Sequence, residues 1–128
     1  MEKYIVTGSS DKPYINLDHE SGILMIGGAS LPENVLEVYQ PVVDWLREYM
    51  LQPNPVTRVK FQFEYLNTAS SRMIMQLLEQ FLKLREVCKT FSISWIYDKS
   101  DLDMRDFGEE LIEITDFPIE MVPKEDTV

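Results

Sequence analysis

Near the middle of the chain, Val59, Phe61, Phe63 and Tyr65 alternate with Arg58, Lys60, Gln62 and Glu64. A period of two turns one set of side chains to a core and the other to water, so Thr57 to Tyr65 reads as a strand. Soon after it, Met73, Ile74, Leu77, Leu78, Phe81 and Leu84 recur at the spacing of one helical face. That spacing predicts a helix from about Ser70 to Val87. The two patterns meet in Leu66-Asn67-Thr68-Ala69-Ser70-Ser71-Arg72, rich in small hydroxyl and amide residues. A helix must satisfy its first free N–H groups in such a place.

The N-terminal part carries shorter patterns. Tyr4 to Val6 is a short candidate strand, broken by Gly8-Ser9-Ser10-Asp11. Tyr14 to Leu17 and Ile23 to Ile26 flank the polar run Asp18 to Gly22 and predict a hairpin. Gly27-Gly28 is expected to end the second strand in a turn or bulge. The pair lacks the spacing and the lysine of a phosphate-cradling loop. Ser30, with Glu33 three residues on and Pro32 between, predicts a capped helix start. Val35, Val38, Val42, Trp45, Leu46 and Tyr49 form the apolar side of that helix, which runs to about Met50. Pro41 removes a bond to the Glu37 carbonyl and is expected to kink it, and Gln52-Pro53-Asn54-Pro55 stops it.

Towards the C-terminus, Phe91, Ile93, Trp95 and Tyr97 mark another strand. After the turn at Asp98 to Asp101, Ser100 with Asp103 predicts a second cap. Met104, Phe107, Leu111 and Ile114 make the stripe of a third helix, weakened by Gly108. Asp116-Phe117-Pro118 ends it. Ile119 to Val122 reads as a last strand and Lys124 to Val128 as a frayed tail. Helices alternating with strands imply parallel pairing through right-handed crossovers. The expectation is a single α/β domain over residues 1–128. Its sheet is mixed but mostly parallel, with an N-terminal hairpin and about three helices on one face. The polar alternation of the central strands leaves the other face wet or open to a partner.

Composition narrows the chemistry. At 128 residues, 45% hydrophobic and 11% aromatic, the chain is long and apolar enough for a core of its own. With 22 acidic against 12 basic side chains the formal net charge is −10. Such a surface disfavours nucleic acid and anionic membranes, and suits either a basic protein partner or plain solubility. Cys88 is the sole cysteine and His19 the sole histidine. No intramolecular disulfide and no His/Cys zinc cluster can form, and a Cys-His pair needs those two to meet in space. Cys88 reads as a small buried hydrophobe, His19 as exposed in its turn, and Trp45 and Trp95 as core. The N-terminus lacks the features of a secretory signal, and no apolar run reaches membrane-spanning length, so a cytoplasmic location is expected.

Candidate active sites are scarce. Glu37, Asp44 and Glu48, and Asp103, Asp106, Glu109, Glu110 and Glu113, fall on the outer faces of their helices. A small metal-dependent hydrolase would need such acids to converge in one pocket; a solvated helix face explains them with less. No catalytic group, metal site or cofactor is expected. The junction then stands out. Asn67 or Thr68 can be the N-cap of the helix, with Ser70 and Ser71 in its first turn. Thr68 is also placed to carry a phosphate, at the positive end of a helix dipole with Arg72 one turn on. The modification adds about −1.5 to −2 charges and three acceptor oxygens. Spacing alone leaves both roles open.

Several segments together resemble one family. They are Asp18-x-x-Ser21-Gly22, Ser30-x-Pro32-Glu33-Asn34, Asp44-Trp45-Leu46 in an aromatic-rich helix, Tyr65-Leu66-Asn67-Thr68-x-Ser70-Ser71, and Trp95-x-Tyr97-Asp98. The likeness, to the SiaC-like bacterial regulatory phosphoproteins, spans nearly the whole chain, and Leu-Asn-Thr-x-Ser is its most specific part. The element order is also similar to that of STAS domains, the anti-sigma-factor antagonists, which carry a phosphorylated hydroxyl at a comparable junction.

The resemblance implies a non-enzymatic partner-switching adaptor. A SiaB-type protein kinase phosphorylates Thr68, and a SiaA-type PP2C-like phosphatase reverses it. The unphosphorylated form binds and activates a SiaD-type diguanylate cyclase, raising cyclic di-GMP and favouring biofilm formation. Leu66, Asn67, Ala69, Ser70, Ser71 and Arg72 become the surroundings of the phosphosite and the partner-binding surface. A STAS-type antagonist of an anti-sigma factor is the alternative within the binding class.

Overall fold

The computed structural model of the protein describes residues 1–125. Its elements are β1 (Tyr4–Val6), β2 (Tyr14–Leu17), β3 (Ile23–Ser30), α1 (Val35–Tyr49), β4 (Val56–Leu66), α2 (Thr68–Leu82), β5 (Thr90–Asp98), α3 (Leu102–Thr115) and β6 (Glu120–Lys124). A 3₁₀ turn, Lys83–Glu86, follows α2. One sheet runs in the order β1-β2-β3-β4-β5-β6. β1, β2 and β3 pair antiparallel, while β3, β4, β5 and β6 pair parallel.

Each parallel step carries one helix, and each step moves the same way along the sheet. Right-handed crossovers then deliver every helix to one face. The packing agrees. Tyr49 of α1 reaches Thr57 of β4 at 2.8 Å. The Phe61 ring of β4 lies 5.7 Å from Phe81 of α2, and Trp95 of β5 lies 5.6 Å from Phe107 of α3. Thr57, Val59, Phe61 and Phe63 are buried on this face, whereas Arg58 and Glu64 are exposed on the other. Both tryptophans belong to the core, and Trp95 Nε1–H is satisfied by the Met104 carbonyl at 3.0 Å.

Several local expectations are corrected. Ser30 does not cap α1: it ends β3, and the N-cap is Asn34, which accepts the Glu37 N–H at 3.3 Å. The Asn34-x-x-Glu37 signature lay four residues further on, and Ser30 is held elsewhere by buried partners. Gly27-Gly28 does not end β3, although an irregularity of the bulge kind is there. The strand continues through a register shift between Gly28 and Ala29, where Gly28 takes a φ of 84° that other residues avoid. α2 begins at Thr68, two residues before the apolar stripe suggested, because Asn67 caps it.

Asp101 caps α3 by accepting the Met104 N–H at 3.1 Å, so Ser100 with Asp103 is not the cap. Ser100 instead donates its hydroxyl and its N–H to Asp98, holding that carboxyl below the usual carboxylate range. Ile114 is 57% exposed and lies outside the α3 stripe; Gly108 takes a buried place there, against Trp95 and Met121. Lys124 belongs to β6, so the expected tail from Lys124 is reduced; its residues 126–128 lie outside those described. His19 is half-buried, its Nε2 2.8 Å from the Gln52 carbonyl. Cys88 is half-buried too, and its thiol donates to Thr57 Oγ1 at 3.3 Å.

Candidate functional site

β4 ends at Leu66, at the edge of the sheet where all the parallel strands end. Asn67 follows in extended conformation, φ −75° and ψ 172°, which turns the chain onto the helix-bearing face. Its side chain then caps α2: Oδ1 accepts the Ser70 N–H at 2.8 Å, and its carbonyl accepts the Ser71 N–H at 2.9 Å. The cap thus uses the third and fourth N–H groups of α2. Those of Thr68 and Ala69 stay at the positive end of the helix and donate to no group among the described residues.

Thr68 is the first residue of α2, and its side chain is exposed with no hydrogen bond among the described residues. Ala69 and Arg72 are exposed as well. Four positions along a helix place Arg72 on the same face as Thr68, and among the described residues it is engaged in no ion pair. Leu66, Asn67 and Ser71 are half-buried, and Ser70 is wholly buried. The seven residues singled out in the sequence therefore divide. Thr68, Ala69 and Arg72 offer a surface, while Asn67 and Ser70 build what holds it.

Beneath this surface lie two residues whose part sequence reasoning missed. Ser30, at the end of β3, accepts the Asn67 N–H through its carbonyl at 3.0 Å. Its hydroxyl lies 2.9 Å from the Ser70 hydroxyl and 2.7 Å from the Tyr39 hydroxyl of α1. All three hydroxyls belong to fully buried residues. Burial pushes the Tyr39 phenol up to about 12, against a smaller downward pull from Ser30, so Tyr39 stays a neutral hydrogen-bonding group. Helical spacing could have found Tyr39, which lies four residues after Val35 and three before Val42. No local signal pairs Ser30 with Ser70.

Beside the junction a hollow of about 290 Å³ is lined by Tyr65, Leu66, Ser71, Met104 and Phe107, with Glu64, Asp101 and Asp103 at its polar parts. Tyr65, on the rim of this hollow, is 56% exposed. Among the described residues, the carboxylates that a hydrolase would need do not converge. All eight outer-face acids of α1 and α3 named above are exposed. Among the described residues, no three His, Cys, Asp or Glu side chains are grouped so as to hold a metal ion. None of the described helices is long and apolar enough to cross a membrane.

Comparison with known proteins agrees with this architecture. An uncharacterized protein of Pseudomonas aeruginosa (strain UCBPP-PA14) is 27% identical over 113 residues, covering 88% of this chain and 90% of that protein. The crystal structure of apo-SiaC from Pseudomonas aeruginosa superposes with a TM-score of 0.85 at 26% identity, over 95% of this chain and 99% of that one. A chain from the crystal structure of the diguanylate cyclase SiaD in complex with its activator SiaC, from the same organism, also matches with a TM-score of 0.85. It is 26% identical, over 94% of this chain and 99% of that one. The model of the SiaC family of regulatory phosphoproteins matches residues 6–124, from the last residue of β1 to the end of β6. The chain belongs to the SiaC family of regulatory phosphoproteins.

Proposed function

We propose that this protein is a cytoplasmic, non-enzymatic phospho-switch adaptor whose Thr68 is the phosphorylated residue. One observation carries the reading: in a member of a family of regulatory phosphoproteins, Thr68 presents a free, exposed hydroxyl at the first turn of α2. A SiaB-type kinase transfers the phosphate. The Thr68 hydroxyl oxygen forms a bond to the γ-phosphorus of Mg-ATP, the bond to the β–γ bridging oxygen breaks, ADP leaves, and the hydroxyl proton passes to a base of the kinase. A SiaA-type PP2C-like phosphatase hydrolyses the ester.

The partner of the unphosphorylated form is a SiaD-type diguanylate cyclase, activated on binding. This reading is supported by the similarity to SiaC solved with SiaD. The adaptor thereby controls cyclic di-GMP and biofilm formation. The switch acts through local charge and bulk. The phosphate brings about −1.5 to −2 charges to a surface that otherwise carries the Arg72 cation and free helix N–H groups. The open N–H groups of Thr68 and Ala69 and the Arg72 guanidinium can neutralise it without disturbing the fold. A partner that needs that helix end bare is then displaced.

Intact-mass measurement after incubation with the kinase and Mg-ATP tests the site. One phosphate is expected on the wild type and none on Thr68→Ala; undiminished phosphorylation of the variant overturns the assignment. For the output, Thr68→Glu is expected to weaken cyclase binding in calorimetry. Recovery of an anti-sigma factor rather than a cyclase from the native bacterium would replace the proposed partner.

A further inference from the structure

Ser30 grips the Thr68 segment at two points. Its carbonyl takes the Asn67 N–H at 3.0 Å, and its hydroxyl meets the Ser70 hydroxyl at 2.9 Å. Asn67 Oδ1 takes the Ser70 N–H at 2.8 Å. The three contacts close a ring through Ser30, Asn67 and Ser70, and Thr68 with Ala69 is the span of chain held between two of its corners. Tyr39 fastens the ring to α1 from behind, at 2.7 Å from the Ser30 hydroxyl.

Capping does not require this arrangement, because Asn67 alone caps α2. Stability does not require it either: an apolar trio of the same shape would fill the space without desolvating three hydroxyls. What the ring adds is orientation. It ties the first turn of α2 to the end of β3 and to α1 by directional bonds, in a buried place where water does not compete with them.

We propose that Ser30 and Tyr39 are positioning residues for the phosphorylation of Thr68, holding its hydroxyl where it can attack in line. The proposal rests on Thr68 being the phosphorylated residue. Phosphoryl transfer is governed mainly by positioning and charge, and a misplacement of about 1 Å can lower its rate on the order of a hundredfold. Ser30 and Tyr39 are fully buried and cannot touch the kinase or its nucleotide. Their loss therefore acts on turnover and leaves recognition of the surface alone.

The test is steady-state phosphate incorporation into the full chain by its kinase, with chain concentration varied and folding checked by circular dichroism. Ser30→Ala is expected to lower kcat about tenfold, and Tyr39→Phe several-fold, with KM for the chain within about twofold of wild type. Ser30→Thr, which restores the hydroxyl, should recover most of the turnover. Wild-type kcat in the folded Ser30→Ala and Tyr39→Phe chains overturns the proposal, as does a raised KM at unchanged kcat. If Ser30→Ala does not fold, Tyr39→Phe decides alone, since it removes one oxygen and leaves the ring in place. Failure of the wild type to take phosphate on Thr68 overturns the underlying reading and this proposal together. Normal phosphorylation of wild type and variants alike overturns this proposal alone.

Discussion

The hydroxyls of Ser30 and Ser70, forty residues apart in the chain, lie 2.9 Å from each other in the core. They join the end of β3 to the first turn of α2, and they make neighbours of the junction chemically unequal. Thr68 is open to solvent while Ser70, two residues on, is sealed.

Phosphate is therefore expected on Thr68 and not on Ser70. Peptide mapping of the phosphorylated chain checks this. Phosphate found on Ser70 would mean that the first turn of α2 unwinds to admit the kinase.

Asn67→Ala is expected to destabilise the fold by about 1 kcal/mol, the usual loss for an N-cap. Asn67→Asp retains an acceptor for the Ser70 N–H and adds a charge the helix dipole favours, so it should stay near wild type. Urea denaturation of the three chains separates these outcomes; equal midpoints for alanine and wild type would show that the cap bond carries no net stability.

Gly108→Ala tests two opposed effects. Alanine gains about 1 kcal/mol of helix propensity over glycine. Its Cβ, however, would stand 2.5 Å from Trp95 Cδ1 and 2.8 Å from Trp95 Nε1 and Met121 Cε. Met121 can bend away, but the indole is wedged between β5 and α3 and bound to the Met104 carbonyl. Overpacking of this kind costs about 1–3 kcal/mol, so a net loss of stability is expected. A raised melting temperature would show that α3 can shift outwards without loss.

Alkaline pH should weaken the fold through Tyr39. Its folded value is about 12, above the ordinary 10.0 of tyrosine, because burial disfavours the phenolate. The unfolded chain loses that proton first. Stability is thus intact below about pH 10 and declines from there to about pH 12, a total on the order of 2–3 kcal/mol for this group. Burial raises Tyr14 and Tyr49 as well, so they add to the same decline. Tyr39→Phe should make the urea midpoint fall less steeply between about pH 9 and 11. An unchanged slope would place the alkaline sensitivity in the other tyrosines.

Much of the fold can be read along the chain because its elements carry clean periods. The alternation from Val59 to Tyr65, the stripe from Met73 to Phe81 and the hairpin around Asp18 to Gly22 each depend on which residues face a core. Short-range geometry sets that choice. The helix starts were harder, since Ser30, Asn34, Ser100 and Asp101 are all competent caps. The choice among them turned on what else claimed each side chain, across the fold for Ser30 and within the local turn for Ser100. Ser30 was captured by Tyr39 and Ser70, leaving Asn34 to cap α1. Ser100 was drawn to Asp98, leaving Asp101 to cap α3. Gly108, which weakens a helix by propensity, sits where Trp95 passes close to α3.

By itself the sequence determined that a strand and a helix meet at Leu66 to Arg72, and that Thr68 sits among capping residues there. Those conclusions follow from local pattern and from what residue types are present. Only the tertiary structure decided which of the junction's hydroxyls is free and which is bound. Exposure and hydrogen bonding depend on what β3 and α1 bring up from behind, and residues thirty or forty positions away leave no trace in the local pattern. Thr68 is open, and Ser70 is closed, because Ser30 and Tyr39 lie beneath the turn.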